Sequence, residues 1–357
     1  MSQTFAIEQL FSRFVDQDKQ IHNASLLIHS EKHGMHLKLA AGSIAVHPDQ
    51  PYHIASITKL FTAVLTAMLV ERGLIAYEDT LAPYIDRELL HQLHVYKGVD
   101  YTPDIRIKHL LNHTSGLHCF FEDKPKHGKS IIELIFDKPD HYWTPQEMLL
   151  WSKTHLSSRF PPGQGFHYSD TGYNLLGLII ENVTRLPYHA AVRQYILDPL
   201  GMDQTYFTHG GQPKSESGHP VARLYAGDID VTDYGSLSIS HAGGAIISTS
   251  EDLLTFMKAL VHHRLLNAES LENMKVWARF FPGINYGFGI MSIKPVFLFM
   301  PGRYQCWGNA GSTGTFLFYH PEQDAYLIGA LNQFRYNRKA FKLMFKTIDK
   351  LIARSNG

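Results

Sequence analysis

The chain has 357 residues, and its 33 basic side chains balance 33 acidic ones. A hydrophobic fraction of 44% and a charged fraction of 18% are those of a globular protein, which excludes disordered and fibrous classes. The length allows about two domains, and a zero formal charge leaves no electrostatic footprint for a nucleic acid or an anionic membrane.

In chain order, the stretch from Ile7 to Val15 has the periodicity of an amphipathic helix. Two strand-like runs follow, from Ala24 to His29 and from His36 to Ala40, joined by charged residues and Gly34 as in a hairpin. Helical periodicity resumes from Ser56 to Glu71, with Gly73 as the stop signal. Helices dominate from about 80 to 235. They include the stretch from Ile107 to Asn112, one opened by Thr144 and Pro145, and an apolar one from Thr171 to Val183. A helix begins at Ser250-Glu251-Asp252 and runs to about His262. Strands are expected from Tyr286 to Ile293, Phe316 to His320 and Tyr326 to Leu331, and a closing amphipathic helix from Asn337 to Ala353. Strands at both ends with helices between imply one sheet, built from both termini and carrying an inserted helical domain. The expected class is α/β (α+β), with residues 1–80 and 236–357 forming the sheet domain and 81–235 the insertion.

Cys119 and Cys306 build neither a disulfide framework nor a zinc cluster. The residues from Met1 to Glu8 lack a basic region followed by an apolar core. The apolar stretch from Leu60 to Val70 is too short to span a bilayer. A cytoplasmic protein is the expectation. Twenty-two histidines are unusual. His109 and His113, four apart, could share a metal on a helix face, but no third ligand is evident and no metal or cofactor is expected.

The strongest chemical candidate is Ser56-Ile57-Thr58-Lys59. Serine and lysine three apart on a helix project from one face, one turn apart. A serine hydroxyl needs a neighbouring group to take its proton before it becomes a good nucleophile. A helix N-terminus also favours developing negative charge there. Chance alone yields about one Ser-x-x-Lys in a chain of this composition, so the context has to carry the argument. No Gly-x-Ser-x-Gly elbow occurs. Gly128-Lys129-Ser130 is no phosphate loop, because Asp123 stands where its first glycine belongs.

That context is a series of segments in fixed order. Tyr52-His53-Ile54-Ala55 precedes Ser56. Leu110-Leu111-Asn112-His113-Thr114-Ser115-Gly116 follows, then Pro161-Pro162-Gly163, Tyr168-Ser169-Asp170 and Gly172-Tyr173-Asn174-Leu175-Leu176-Gly177. Later come Pro199-Leu200-Gly201-Met202, Gly243-Gly244-Ala245 and Gly308-Asn309-Ala310-Gly311-Ser312-Thr313-Gly314. From about residue 20 to 335 the chain resembles the serine hydrolases of the class C β-lactamase and penicillin-binding-protein superfamily. That group includes esterases, D-aminopeptidases and DD-carboxypeptidases.

The resemblance implies a β-lactamase/transpeptidase-like fold and an acyl-enzyme mechanism. It makes Ser56 the nucleophile, Lys59 its partner and Tyr168 the tyrosine of a second motif. Tyr77 and Tyr84 share the Tyr-x-Asp spacing, but the flanking segments favour Tyr168. A phenol becomes a base only where cations favour phenolate, and Lys59 could supply that field. The backbone amides of Ser56 and Ser312 would hold the oxyanion. Asp170 and Gly311 would help shape the substrate site.

Two positions depart from the pattern. Asp170 stands where asparagine is common, and an acid there favours the charged form of Lys59. Asn309-Ala310-Gly311 replaces Lys-Thr-Gly or His-x-Gly, so a neutral amide stands where a cation would hold a substrate carboxylate. The expected substrate is therefore a small-molecule ester or amide. D-amino-acid peptides, β-lactams and a non-catalytic binding role are the alternatives. Phe120, Phe121, Trp143, Phe299 and Trp307 are candidates for an apolar pocket wall.

Overall fold

The computed structural model describes residues 2–296 and 301–353. Phe299 lies outside them. Among the described residues, seven helices have seven residues or more: α1 (Gln3–Asp16), α2 (Thr58–Glu71), α3 (Ile131–Asp137), α4 (Pro145–His155), α5 (Asp170–Thr184), α6 (Ser250–Val261) and α7 (Asn337–Ile352). Their starts follow from capping chemistry. Ser2, Thr144, Ser169 and Thr249 each accept a backbone N–H of the first helical turn. Ser130 and Glu133 form a capping box on α3.

Eight strands make one antiparallel sheet: β1 (Asn23–Ser30), β2 (Met35–Gly42), β3 (Ala278–Phe281), β4 (Ile284–Tyr286), β5 (Met291–Ile293), β6 (Cys306–Gly311), β7 (Thr315–His320) and β8 (Ala325–Ala330). Their spatial order is β3-β4-β5-β6-β7-β8-β1-β2. The N-terminal hairpin thus docks on the C-terminal strands, with Ser25 opposite Ala330. The fold is the mixed helix and antiparallel-sheet architecture expected from the sequence.

Alternation along the strands splits the core in two. Leu26, Ile28, Phe316, Phe318 and Leu327 pack on α1 and α7. Leu27, Leu317, Tyr326 and Ile328 face a larger core that includes α2 and α6. There Phe61 stacks on Phe256 with ring centroids 3.8 Å apart.

Two elements differ from expectation. The run from Tyr286 to Ile293 is two strands. Gly289 turns between them at φ +67°, and its open side lies against α2, where an added Cβ would sit 2.5 Å from the Ala63 Cβ. Ser56 is not part of α2. It lies in a separate 3₁₀ turn, Ala55–Ile57, entered through Ala55 at φ +48°. No helix among the described residues is long and apolar enough to cross a membrane.

Candidate active site

The Ser56 turn is held from three directions. Tyr52–His53 pairs antiparallel with Ile246–Ser248, which also pairs with Tyr206–Phe207. The Ile54 amide donates to the Ile246 carbonyl at 3.0 Å, and the Ile54 carbonyl accepts from the Thr315 hydroxyl at 3.0 Å. Ile54 and Ile57 are fully buried on either side. The left-handed backbone at Ala55 is unfavourable for a residue with a Cβ, and this packing over-determines it.

Lys59 begins the first turn of α2 and is fully buried. A buried ammonium requires partners, and Lys59 has three. Its Nζ lies 2.5 Å from Asp170 Oδ1, 2.8 Å from the Gly243 carbonyl and 3.3 Å from Ser56 Oγ. Asp170 is the first residue of α5, where the helix dipole favours a carboxylate. Its other oxygen lies 3.4 Å from Cys119 Sγ, and its amide donates to that sulfur. Cys119 is free and buried, and burial pushes its thiol well up.

Tyr168 completes the group. Its ring centroid is 5.0 Å from Lys59 Nζ. His113 packs 4.2 Å from the same ring and receives the Ser169 amide on Nδ1 at 3.1 Å. Burial, and then the Asp170 charge, hold the Tyr168 phenol well above its ordinary pKa. The neighbouring Ser56 hydroxyl works in the opposite direction as a hydrogen-bond partner. Burial and the Asp170 charge both favour the neutral phenol over phenolate. Tyr77 packs against Phe288, and Tyr84 donates to Asp79.

Two peptides beside this group are held by backbone hydrogen bonds. The Ala55 carbonyl accepts from Thr58, which fixes the peptide carrying the Ser56 N–H. The Gly311 carbonyl accepts from the Gly314 amide at 3.2 Å, which fixes the peptide carrying the Ser312 N–H.

Ser56, Tyr168, Asp170 and Ser312 all line one cavity of about 560 Å³. Asn309 and Gly311, expected beside the substrate, are not among the residues that line it. Strand alternation turns Ala310 and Ser312 to the cavity. It buries Asn309, whose amide donates to the Gly289 carbonyl at 2.8 Å and faces the Tyr286 hydroxyl at 3.4 Å. Gly311 serves by lacking a side chain. An added Cβ would lie 2.3 Å from Thr315 Oγ1 and 2.8 Å from the Ala55 Cβ, so β6 could not approach the Ser56 turn. Of the aromatic candidates, Phe121 lines the cavity. Phe120 and Trp143 are buried in a small separate core, and Trp307 packs on the larger core. His109 and His113 turn their Nδ1 atoms to backbone amides.

Sequence reasoning missed Cys119, Gly243 and the β3–β4 hairpin at the cavity. Only the glycine pair Gly243-Gly244 carried a signal.

This fold and this arrangement of groups are those of a known class. The chain belongs to the beta-lactamase family, whose model matches residues 8–346. Penicillin-binding protein 4* of Bacillus subtilis is 30% identical over 255 residues, covering 67% of this chain and 51% of that protein. The chain thus spans about half the length of that curated relative. A D-stereospecific amidohydrolase from Streptomyces sp. superposes with a TM-score of 0.79 at 26% identity, covering 96% of this chain and 98% of its own. The D-amino acid amidase of Ochrobactrum anthropi SV3 superposes at 0.76 with 25% identity, covering 96% and 99%.

Proposed function

We propose that this protein is a serine hydrolase that acts through an acyl-enzyme on an ester or amide of a small molecule. The observation that carries the reading is the Ser56 hydroxyl, 3.3 Å from a buried lysine and beside a tyrosine, on the wall of a cavity. In this reading the cleft lies between the sheet domain (1–80 and 236–357) and the helical insertion (81–235).

Ser56 Oγ bonds to the substrate carbonyl carbon. The Ser56 and Ser312 amides receive the oxyanion. Tyr168 works as a neutral shuttle. Its oxygen takes the serine proton while its own proton passes to the leaving atom, so no full phenolate forms beside Asp170. Lys59 steadies the partial negative charge on the phenol. The carbon–leaving-atom bond breaks, and water then releases the acyl group by the reverse relay.

Asp170 and Cys119 position the lysine rather than the substrate. The buried orientation of Asn309 supports a substrate without a carboxylate at that end. The two buried free cysteines fit a reducing compartment and support a cytoplasmic site of action.

The test is a fluorophosphonate probe followed by intact-mass measurement. The wild type should gain one adduct, and Ser56→Ala should gain none. Folded wild type that stays unlabelled would favour a non-catalytic binder. A second reading, hydrolysis of D-amino-acid amides, is favoured by the names of the two structural neighbours. It also draws on the Glu122 carboxylate in the cavity wall, which could meet an ammonium. D- and L-amino-acid anilides separate it from ester hydrolysis.

A further inference from the structure

The cavity beside Ser56 is walled by two independent apolar packing units. Its lining includes Ile132 and Ile135 of α3 together with Leu237. Ile135 belongs to a small separate core, with Phe120, Trp143 and Ile239. Its lining also includes Phe280 and Phe281 of β3 and Phe341 of α7. Phe341 packs on the core between the sheet and the terminal helices. The reactive hydroxyl lies in a cavity to which both units contribute.

The second wall is unusual because it is incompletely covered. Phe281 is 63% exposed and Phe280 38% exposed, side by side on an edge strand. Both also line the cavity, so apolar surface left open on this strand borders it. A volume of about 560 Å³ also falls within the range that encloses a drug-sized molecule, far more than an acetyl group fills. The charged groups Glu122 and Arg338 reach the cavity from solvent-exposed positions.

The two sides can be assigned. Tyr168 hands its proton to the leaving atom, so the leaving group lies on the Tyr168 side. Phe280 flanks that phenol, with its ring centroid 6.1 Å from Tyr168 and 5.1 Å from Phe166.

We propose that the substrate carries an apolar group on each side of its scissile carbonyl. The acyl chain lies against Ile132, Ile135 and Leu237, and an apolar alcohol or amine lies against Phe280, Phe281 and Phe341. The inference rests on the hydrolase reading and adds its substrate class.

The experiment is a two-way ester panel. One series lengthens the acyl chain from two to eight carbons on a fixed phenol. The other enlarges the alcohol from methyl to benzyl to naphthylmethyl on a fixed butyryl group. In the wild type, kcat/KM should rise about threefold to fourfold per methylene buried until the acyl wall is filled. It should rise again with the alcohol. Ile132→Ser should flatten the acyl series more than the alcohol series, and Phe281→Ser the alcohol series more than the acyl series. Phe281 is exposed, so its variant tests the leaving-group wall without disturbing the core.

A wild-type rate that falls beyond acetyl overturns the proposal. So does a pair of variants that flatten both series equally. Fluorophosphonate labelling is run on the same samples. Labelled protein with a flat panel removes the substrate class and leaves the hydrolase reading standing. Unlabelled protein removes both.

Discussion

Replacing Asp170 with asparagine isolates the electrostatics of the site. The substitution keeps the shape of the side chain and removes its charge. Lys59 is left fully buried, with the Gly243 carbonyl and Ser56 Oγ as its remaining polar partners. Removing one member of a buried ion pair costs about 3–5 kcal/mol. The Asp170 side chain keeps 16% of its surface exposed, so the lower end applies, about 3 kcal/mol. In a chain of this length that loss lowers Tm by about 4 °C. The double variant Lys59→Met/Asp170→Asn buries no charge and should recover most of it, since apolar replacement of a buried pair is often neutral. Urea unfolding of all four proteins gives the coupling energy, expected above about 2 kcal/mol. A coupling below about 0.5 kcal/mol, the range of exposed pairs, refutes the claim that this pair anchors the site.

Other outcomes follow from the same geometry. Tyr168→Phe should lower kcat by about 10²–10⁴-fold with an unchanged circular dichroism spectrum, and near-wild-type turnover rules out the shuttle. Because Asp170 helps hold the Tyr168 phenol protonated, Asp170→Asn should move the alkaline limb of the kcat/KM profile to lower pH. A move to higher pH contradicts the assignment. Burial depresses His53 and His241 to about 4, so the unfolded chain binds more protons than the native one between there and 6.5. Stability should be full above pH 6.5 and fall as the pH drops toward 4, by about 1.4 kcal/mol per pH unit for each histidine. Unfolding midpoints that stay level across that window overturn the burial argument. Gly311→Ala should force β6 off the Ser56 turn, costing about 1–3 kcal/mol and about a hundredfold in kcat. An alanine variant with wild-type turnover shows that the approach is not tight.

The sheet was legible because β1, β7 and β8 are short, nearly continuous apolar runs buried on both faces, and capping residues marked several helices. The split at Gly289 was not, since nothing in the run from Tyr286 to Ile293 says that the turn must clear α2. The segments that carry Ser56 and Tyr168 were readable in their order along the chain. Their electrostatics were not. Asp170 reads as a simple departure from a pattern, and only the fold shows it clasped between Lys59 and Cys119. The facing of Asn309 was equally hidden. Whether an odd or an even residue of β6 looks into the cavity depends on register with β5 and β7, which composition does not encode.

The pairing of Ser25 with Ala330 joins residues separated by about 300 positions along the chain. At ribosomal rates of roughly 5–20 residues per second, β1 waits about 15–60 s for its neighbour to be made. During that interval its two apolar faces and one hydrogen-bonding edge are open to other chains. The turn that bears Ser56 is likewise unfinished until Thr315 arrives to grip the Ile54 carbonyl. Synthesis of the stretch from Thr315 to Ala330 is thus the step at which a vulnerable polypeptide gains both the partner strand of β1 and the hydroxyl that grips the Ser56 turn.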